Sequence, residues 1–313
     1  MAKSPPLEQT QILLAELRDA PITPETGEQW RQVLQSPHAS VITQAAKILG
    51  QRALTDFNAD LAATFTRLMQ KPVKRDPNCL AKATIADTLY RLESHNAALF
   101  LQGIRHVQQE PVWGGTVDTA ATLRGNCALG LVRMHYPNVI TELADLLADP
   151  EQPARIVAAR AIAYSQDPQG IPLLRLRAKM GDEPQVLSEY LAALLKLAPQ
   201  ASLAFVAAFL QDTNQQVQEL VALVLGESRQ PEALDSLITW WHSIQDPELS
   251  VTGLLAIAML RTDEALQFLL DLVAEGSEHT AQDAIKALEI YRQDYDLWQR
   301  VCEVQDHRNS QRE

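Results

Sequence analysis

One short pattern recurs eight times along the chain: an acidic or hydroxyl residue in a turn, with two pairs of small or apolar residues following at fixed offsets. The clearest copy runs Leu143-Ala-Asp-Leu-Leu-Ala-Asp-Pro150 and then Ala154 to Ile162. With Asp149 as anchor, the same pattern fits at Ser36, Asp76, Asp118, Asp182, Asp212, Asp246 and Glu275, at separations of 29 to 42 residues. Nine and ten positions on stand Ala45-Ala46, Ile85-Ala86, Cys127-Ala128, Ala158-Ala159, Leu191-Ala192, Val221-Ala222, Leu255-Ala256 and Ala284-Ile285. A period of this length restricts the fold more than any composition does. Each unit is one supersecondary element that cannot bury its apolar face alone, so neighbours must stack.

The residue types say what the element is. Alanine fills the tenth position in seven of the eight units, and a small side chain there lets two crossing helices approach to about 8 Å. Upstream of the anchors, Leu143-Leu146-Leu147, Val206-Phe209-Leu210, Leu237-Ile238-Trp241 and Leu266-Leu269-Leu270-Val273 repeat at three-four spacing, the mark of an amphipathic helix. An acidic anchor suits a helix start, where it accepts from orphan amides. Many of the 17 prolines fall between these helices, where they punctuate rather than break them. The expectation is an all-α chain: a right-handed α-α superhelix of about eight helical hairpins over residues 28–292. A capping helix and linker are expected in 1–27, and a second capping helix with a tail in 293–313.

The 313 residues carry a formal net charge of −12. A protein that neutralises nucleic-acid phosphates is expected to show a basic face, so nucleic acid and anionic membranes are disfavoured as partners. Cys79, Cys127 and Cys302 are scattered and odd in number, which leaves no disulfide framework and no CxxC metal site. The seven histidines show no metal-ligand spacing, and no HExxH or Ser/His/Asp arrangement occurs. No apolar run reaches the ~18 residues that a membrane span needs. Met1 to Pro6 lacks the apolar stretch of a leader, and the chain reads as cytoplasmic.

The turn acid, the basic residue six positions on (Lys82, Arg124, Arg155), the alanine pair and the closing leucine together resemble HEAT repeats. The tighter spacing of the second half is similar to the short bacterial type shared with bilin-lyase HEAT-like proteins. That resemblance implies the fold and a family of scaffolds, assembly factors, lyases and a few DNA-repair enzymes. The sixth-position base is lost after Arg155, where Ser188, Gln218, Thr252 and Ala281 stand.

Two wide spacings add residues near 70–78 and 107–117, and insertions in a solenoid map to loops on one edge. The first, Lys71-Pro-Val-Lys-Arg-Asp-Pro77, is basic and bracketed by proline. The second holds Trp113-Gly114-Gly115, a partner anchor if the indole is presented outward, and a plain chain reversal if it tucks onto its own hairpin. A second candidate surface lies on the second helix of each hairpin, at Val157, Arg160, Tyr190, Ala193, Leu220, Leu223, Leu254 and Ile257. If concave and open, this apolar stripe receives a helix or a hydrophobic ligand; the alternatives are closure on itself or burial in a homodimer. No catalytic residue, metal or cofactor is expected. The reading is a non-catalytic scaffold holding a protein partner, with a bilin-lyase-like assembly factor as the second reading and a HEAT-like DNA glycosylase as the third.

Overall fold

The computed structural model describes residues 7–310. The leader reading of Met1 to Pro6, and the last three residues of the tail segment, lie outside them. The chain forms two compact units that meet in sequence between Asp167 and Pro168, and each is described by itself.

The first unit holds α1 (Leu7–Leu17), α2 (Pro24–Leu34), α3 (Ala39–Gln51), α4 (Asn58–Met69), the short α5 (Pro72–Arg75), α6 (Leu80–Arg91) and α7 (Ala97–Ile104). A two-stranded ribbon follows, β1 (Gln109–Val112) and β2 (Gly115–Asp118), and then α8 (Ala121–Arg133), α9 (Val139–Leu147) and α10 (Gln152–Ser165). Four hairpins result: α2 with α3, α4 with α6, α7 with α8, and α9 with α10. Their second helices α3, α6, α8 and α10 also pack on one another in that order.

The second unit repeats the plan with α11 (Gly170–Met180), α12 (Pro184–Leu197), α13 (Pro199–Ala207), α14 (Gln215–Ser228), α15 (Leu234–Ser243), α16 (Pro247–Leu260), α17 (Asp263–Glu275) and α18 (Glu278–Leu288). Helix α19 (Tyr295–Ser310) packs on α17 as α1 packs on α2 and α3. An arginine ties each terminal helix down by donating to carbonyls at a helix end. Arg52 reaches Leu17 O at 3.0 Å and Ala20 O at 2.8 Å beyond α1, and Arg308 reaches Val273 O at 2.9 Å and Gly276 O at 2.8 Å beyond α17.

Three of the anchors stand two residues ahead of the N-cap rather than at it. Asp118, Asp149 and Asp212 each accept from the amide two residues on, at 2.9, 2.8 and 2.8 Å, an Asx turn that sets the entry of the second helix. Asp246 is itself the N-cap of α16, accepting from Glu248 and Leu249. Glu275 departs from the pattern: it lies inside α17, and Ser277 caps α18 instead.

Six of the seven tenth-position alanines face inward, Ala46, Ala86, Ala128, Ala159, Ala222 and Ala256 being fully buried, while Ala192 is half-buried. Approach is closest where even alanine is too large. A methyl group on Gly226 of α14 would stand 2.4 Å from the Ala256 carbonyl of α16.

Candidate functional site

The second insertion is not an irregular loop. It is an antiparallel ribbon paired Gln109 with Asp118 through Val112 with Gly115, closed by Trp113 and Gly114. Gly114 sits at φ +88°, a conformation L side chains avoid. Gln109 and every residue from Pro111 to Val117 are exposed, and Trp113 is wholly so, at 102% of its reference area. The indole is therefore presented outward and does not fold back onto its hairpin.

A buried polar cluster holds the base of the ribbon. Oε1 of Glu110 accepts from the Asn78 amide at 2.7 Å, from Gln108 Nε2 at 2.6 Å and from the Thr119 hydroxyl at 2.7 Å. Gln108 Nε2 also donates to Asp76 O at 2.9 Å. Beside them Asp118 accepts from the Gln108 and Ala120 amides at 2.9 Å each and pairs with Arg124 at 2.7 Å. Arg124 in turn reaches Asp149 of the next repeat at 2.8 Å. Asp76 and Lys82, both fully buried, pair at 2.9 Å. Burial alone would raise the Glu110 carboxyl, but its three hydrogen bonds and the nearby Lys82 charge hold it below the ordinary value. Asp118 is likewise held low, burial being outweighed by two amides and Arg124.

The two insertions thus meet. Segment 76–78, which follows α5, is bonded to Gln108 and Glu110 at the ribbon base. Sequence reasoning identified Trp113, Gly114, Gly115 and the basic stretch, but missed Gln108, Glu110 and Thr119, which lock them together. The signal was the polar run Gln108-Gln109-Glu110 ahead of a proline, where a solvent loop needs no buried carboxylate.

The second-helix stripe requires correction. Tyr190, Leu254 and Ile257 are fully buried, Ala193 nearly so, and Val157, Leu220 and Leu223 are half-buried; of the predicted set Arg160 alone is exposed. The cause is packing on several sides: α16 touches α14, α15, α17 and α18, so an apolar surface all round is core. Tyr190 also replaces the missing base of its repeat. Its hydroxyl donates to Asp182 at 2.9 Å while Arg177 pairs with the same carboxylate at 2.7 Å. In the first unit α3, α6 and α8 line a groove of about 370 Å³ that mixes Lys47, Asp87, Arg91 and Asn126 with the apolar Leu80 and Ala83.

Two of the three cysteines are buried and unreactive. Burial pushes the Cys79 thiol up to about 12 and the fully buried Cys127 higher still, far from a reactive thiolate. Among the described residues no His, Cys, Asp and Glu cluster suits a metal ion, and no helix is long and apolar enough to cross a membrane.

Residues 202–289 match the family described as HEAT repeats. No curated protein matches the sequence. Among solved structures the chain is similar to YibA of Escherichia coli, at 14% identity over 92% of this chain and 99% of YibA, with a TM-score of 0.52. It is also similar to a chain of the CpcE and CpcF complex of phycocyanin lyase from Nostoc sp. PCC7120, at 17% identity over 98% and 99%, with a TM-score of 0.38. Human deoxyhypusine hydroxylase aligns at 16% identity over 92% of each chain, with a TM-score of 0.31. At such identities the likeness to YibA concerns the fold alone. HEAT repeats are thus matched in sequence over residues 202–289, and the paired helices before them share the same hairpin plan.

Proposed function

We propose that the chain is a non-catalytic protein-binding scaffold whose contact element is the 109–118 ribbon. The observation that carries this reading is Trp113, fully exposed at the tip of a ribbon whose base is locked by buried hydrogen bonds. A large aromatic in water is unfavourable unless something covers it, and tryptophan is enriched among the residues that dominate protein interfaces. Locking the base removes ordering cost from binding, so the indole is delivered preorganised. The exposed Val112 and Val117 widen the apolar tip. A net charge of −12 favours a protein partner over phosphate-rich ones.

A photo-crosslinking amino acid at position 113, introduced in cells that make the protein naturally, tests this. A discrete protein adduct is expected at 113 and not at Leu176, an exposed apolar position on α11. The same adducts at both positions, or none at 113, would remove the proposal.

A further inference from the structure

We infer that the ribbon and the basic insertion beside it form one docking site for an extended, acidic peptide segment, which adds as a third strand along β2. This rests on the ribbon being the contact element, and three observations on the ribbon and its neighbour specify the occupant.

The first is the direction of the backbone groups. Thr119 N–H donates to Gln108 O at 3.0 Å, and the ladder continues from Gln109 with Asp118 to Val112 with Gly115. Bonded and non-bonded pairs alternate in an antiparallel ladder. Pairs 108/119, 110/117 and 112/115 therefore bond inward, and 109/118 and 111/116 turn their N–H and C=O groups outward. Pro111 has no N–H, so the β1 edge lacks a donor at mid-ribbon, the usual way an edge is blunted. Thr116, directly opposite, keeps both groups on the β2 edge. One edge is closed to a new strand and the other is open.

The second is the side-chain pattern. Residues opposite each other share a face, so Val112 and Val117 lie on the face of Glu110, which is bonded to Asn78. A strand added at β2 would find Val117 and Trp113 for alternate apolar side chains.

The third is charge. Lys71, Lys74 and Arg75 fall in the segment whose continuation, Asp76 and Asn78, is bonded to the ribbon base. Two residues of chain span at most about 7 Å, which keeps Lys74 beside that base. Lys71 and Lys74 are exposed, and the one carboxylate in the segment, Asp76, is consumed by buried Lys82. Arg67 lies close enough to Arg75 to feel its charge. A cationic patch of this kind at the base of the ribbon, on a strongly acidic chain, complements an acidic peptide that runs along the ribbon. A membrane uses the cations and the indole but has no use for the edge at Thr116.

The test pans a random peptide phage library on the full chain, with counter-selection on Trp113→Ala, and titrates the selected peptide carrying fluorescein. Enriched sequences are expected to be rich in Asp and Glu and to alternate acidic with apolar residues. The double variant Lys71→Glu/Lys74→Glu should weaken the labelled peptide about tenfold or more at low salt. Thr116→Pro, which removes the outward donor and no ladder bond, should weaken it comparably. Methylating alternate backbone amides of the peptide gives the same reading if Thr116→Pro disturbs the ribbon. No enrichment, unchanged affinity in the charge-reversed chain, or indifference to peptide N-methylation overturns the inference. So does Trp113-dependent sedimentation with phosphatidylserine vesicles, which makes the surface a lipid contact. If protein adducts at position 113 persist while these fail, the occupant class falls and the ribbon remains the contact element. If the adducts vanish as well, both readings fall.

Discussion

Replacing Gly226 by alanine should destabilise the protein even though alanine is the better helix former. The added Cβ would lie 2.4 Å from the Ala256 carbonyl oxygen, 3.0 Å from the Ala256 Cα and 3.0 Å from the Met259 Cβ. Two of these atoms are backbone and cannot rotate away, so α14 and α16 must separate. Overpacking of this kind costs about 1–3 kcal/mol, and the intrinsic helix preference returns about 1 kcal/mol. With two backbone atoms at the contact the cost lies at the upper end of that range, so the net loss is about 2 kcal/mol, a fall in Tm of roughly 4–8 °C. Gly27 supplies the opposite case inside α2. Its added Cβ would meet one atom, the Arg31 guanidinium nitrogen, at 4.0 Å, so Gly27→Ala should gain about 0.4–1 kcal/mol. Thermal unfolding followed by circular dichroism reads both variants against the same parent. If Gly226→Ala is as stable as the parent, or the two variants shift in one direction, close backbone approach does not set the packing of these hairpins.

Asp118→Ala removes one of the two carboxylates that pair with Arg124 and the acceptor of two amides, and should cost about 1–3 kcal/mol, measured by denaturant unfolding of the first unit's signal. Because Glu110 and Asp118 are held below their ordinary values, the folded state binds fewer protons there than the unfolded chain. The stability they contribute is complete above the unfolded carboxylate range near pH 4 and is lost as pH falls through the lower folded values. Guanidinium midpoints between pH 6 and 2 should show that loss, and Glu110→Gln should flatten it. Native protein should titrate rapidly with a thiol reagent at Cys302 alone, since Cys79 and Cys127 are fully buried, and at all three thiols after denaturation.

Much of the fold was legible because its cause is periodic. The alanine positions and turn residues recur at fixed offsets, and the helix pairs follow from them up to the last, where Glu275 lies inside α17 and Ser277 caps α18. The ends of the second helices were not legible. Ala53, Glu93, His135, Gln166, Arg229 and Arg261 terminate them in the left-handed region, and for the first three the next amide bonds back to Leu49, Leu89 and Leu131, in the manner of a Schellman turn. None of the six is glycine, so the usual stop signal is missing. Tyr190, Leu254 and Ile257 were misplaced for a related reason. An apolar helix reads the same whether it lines an open surface or is sandwiched, and the neighbours that decide this come from other repeats. The ribbon escaped because its four-residue strands hold few β-formers, and its base is locked by Glu110, whose partner Asn78 lies far back along the chain.

Hydrogen exchange across residues 107–120 of the free protein tests most directly whether the ribbon exists, locked, before any partner arrives. Slow exchange is predicted at Val112, Val117 and Thr119, whose amides bond inward, with fast exchange at Thr116, whose amide faces out. Glu110→Ala should abolish the protection at Thr119 first. Uniformly fast exchange through the segment, or protection at Thr116 equal to its neighbours, would contradict a preformed two-stranded arm with one open edge.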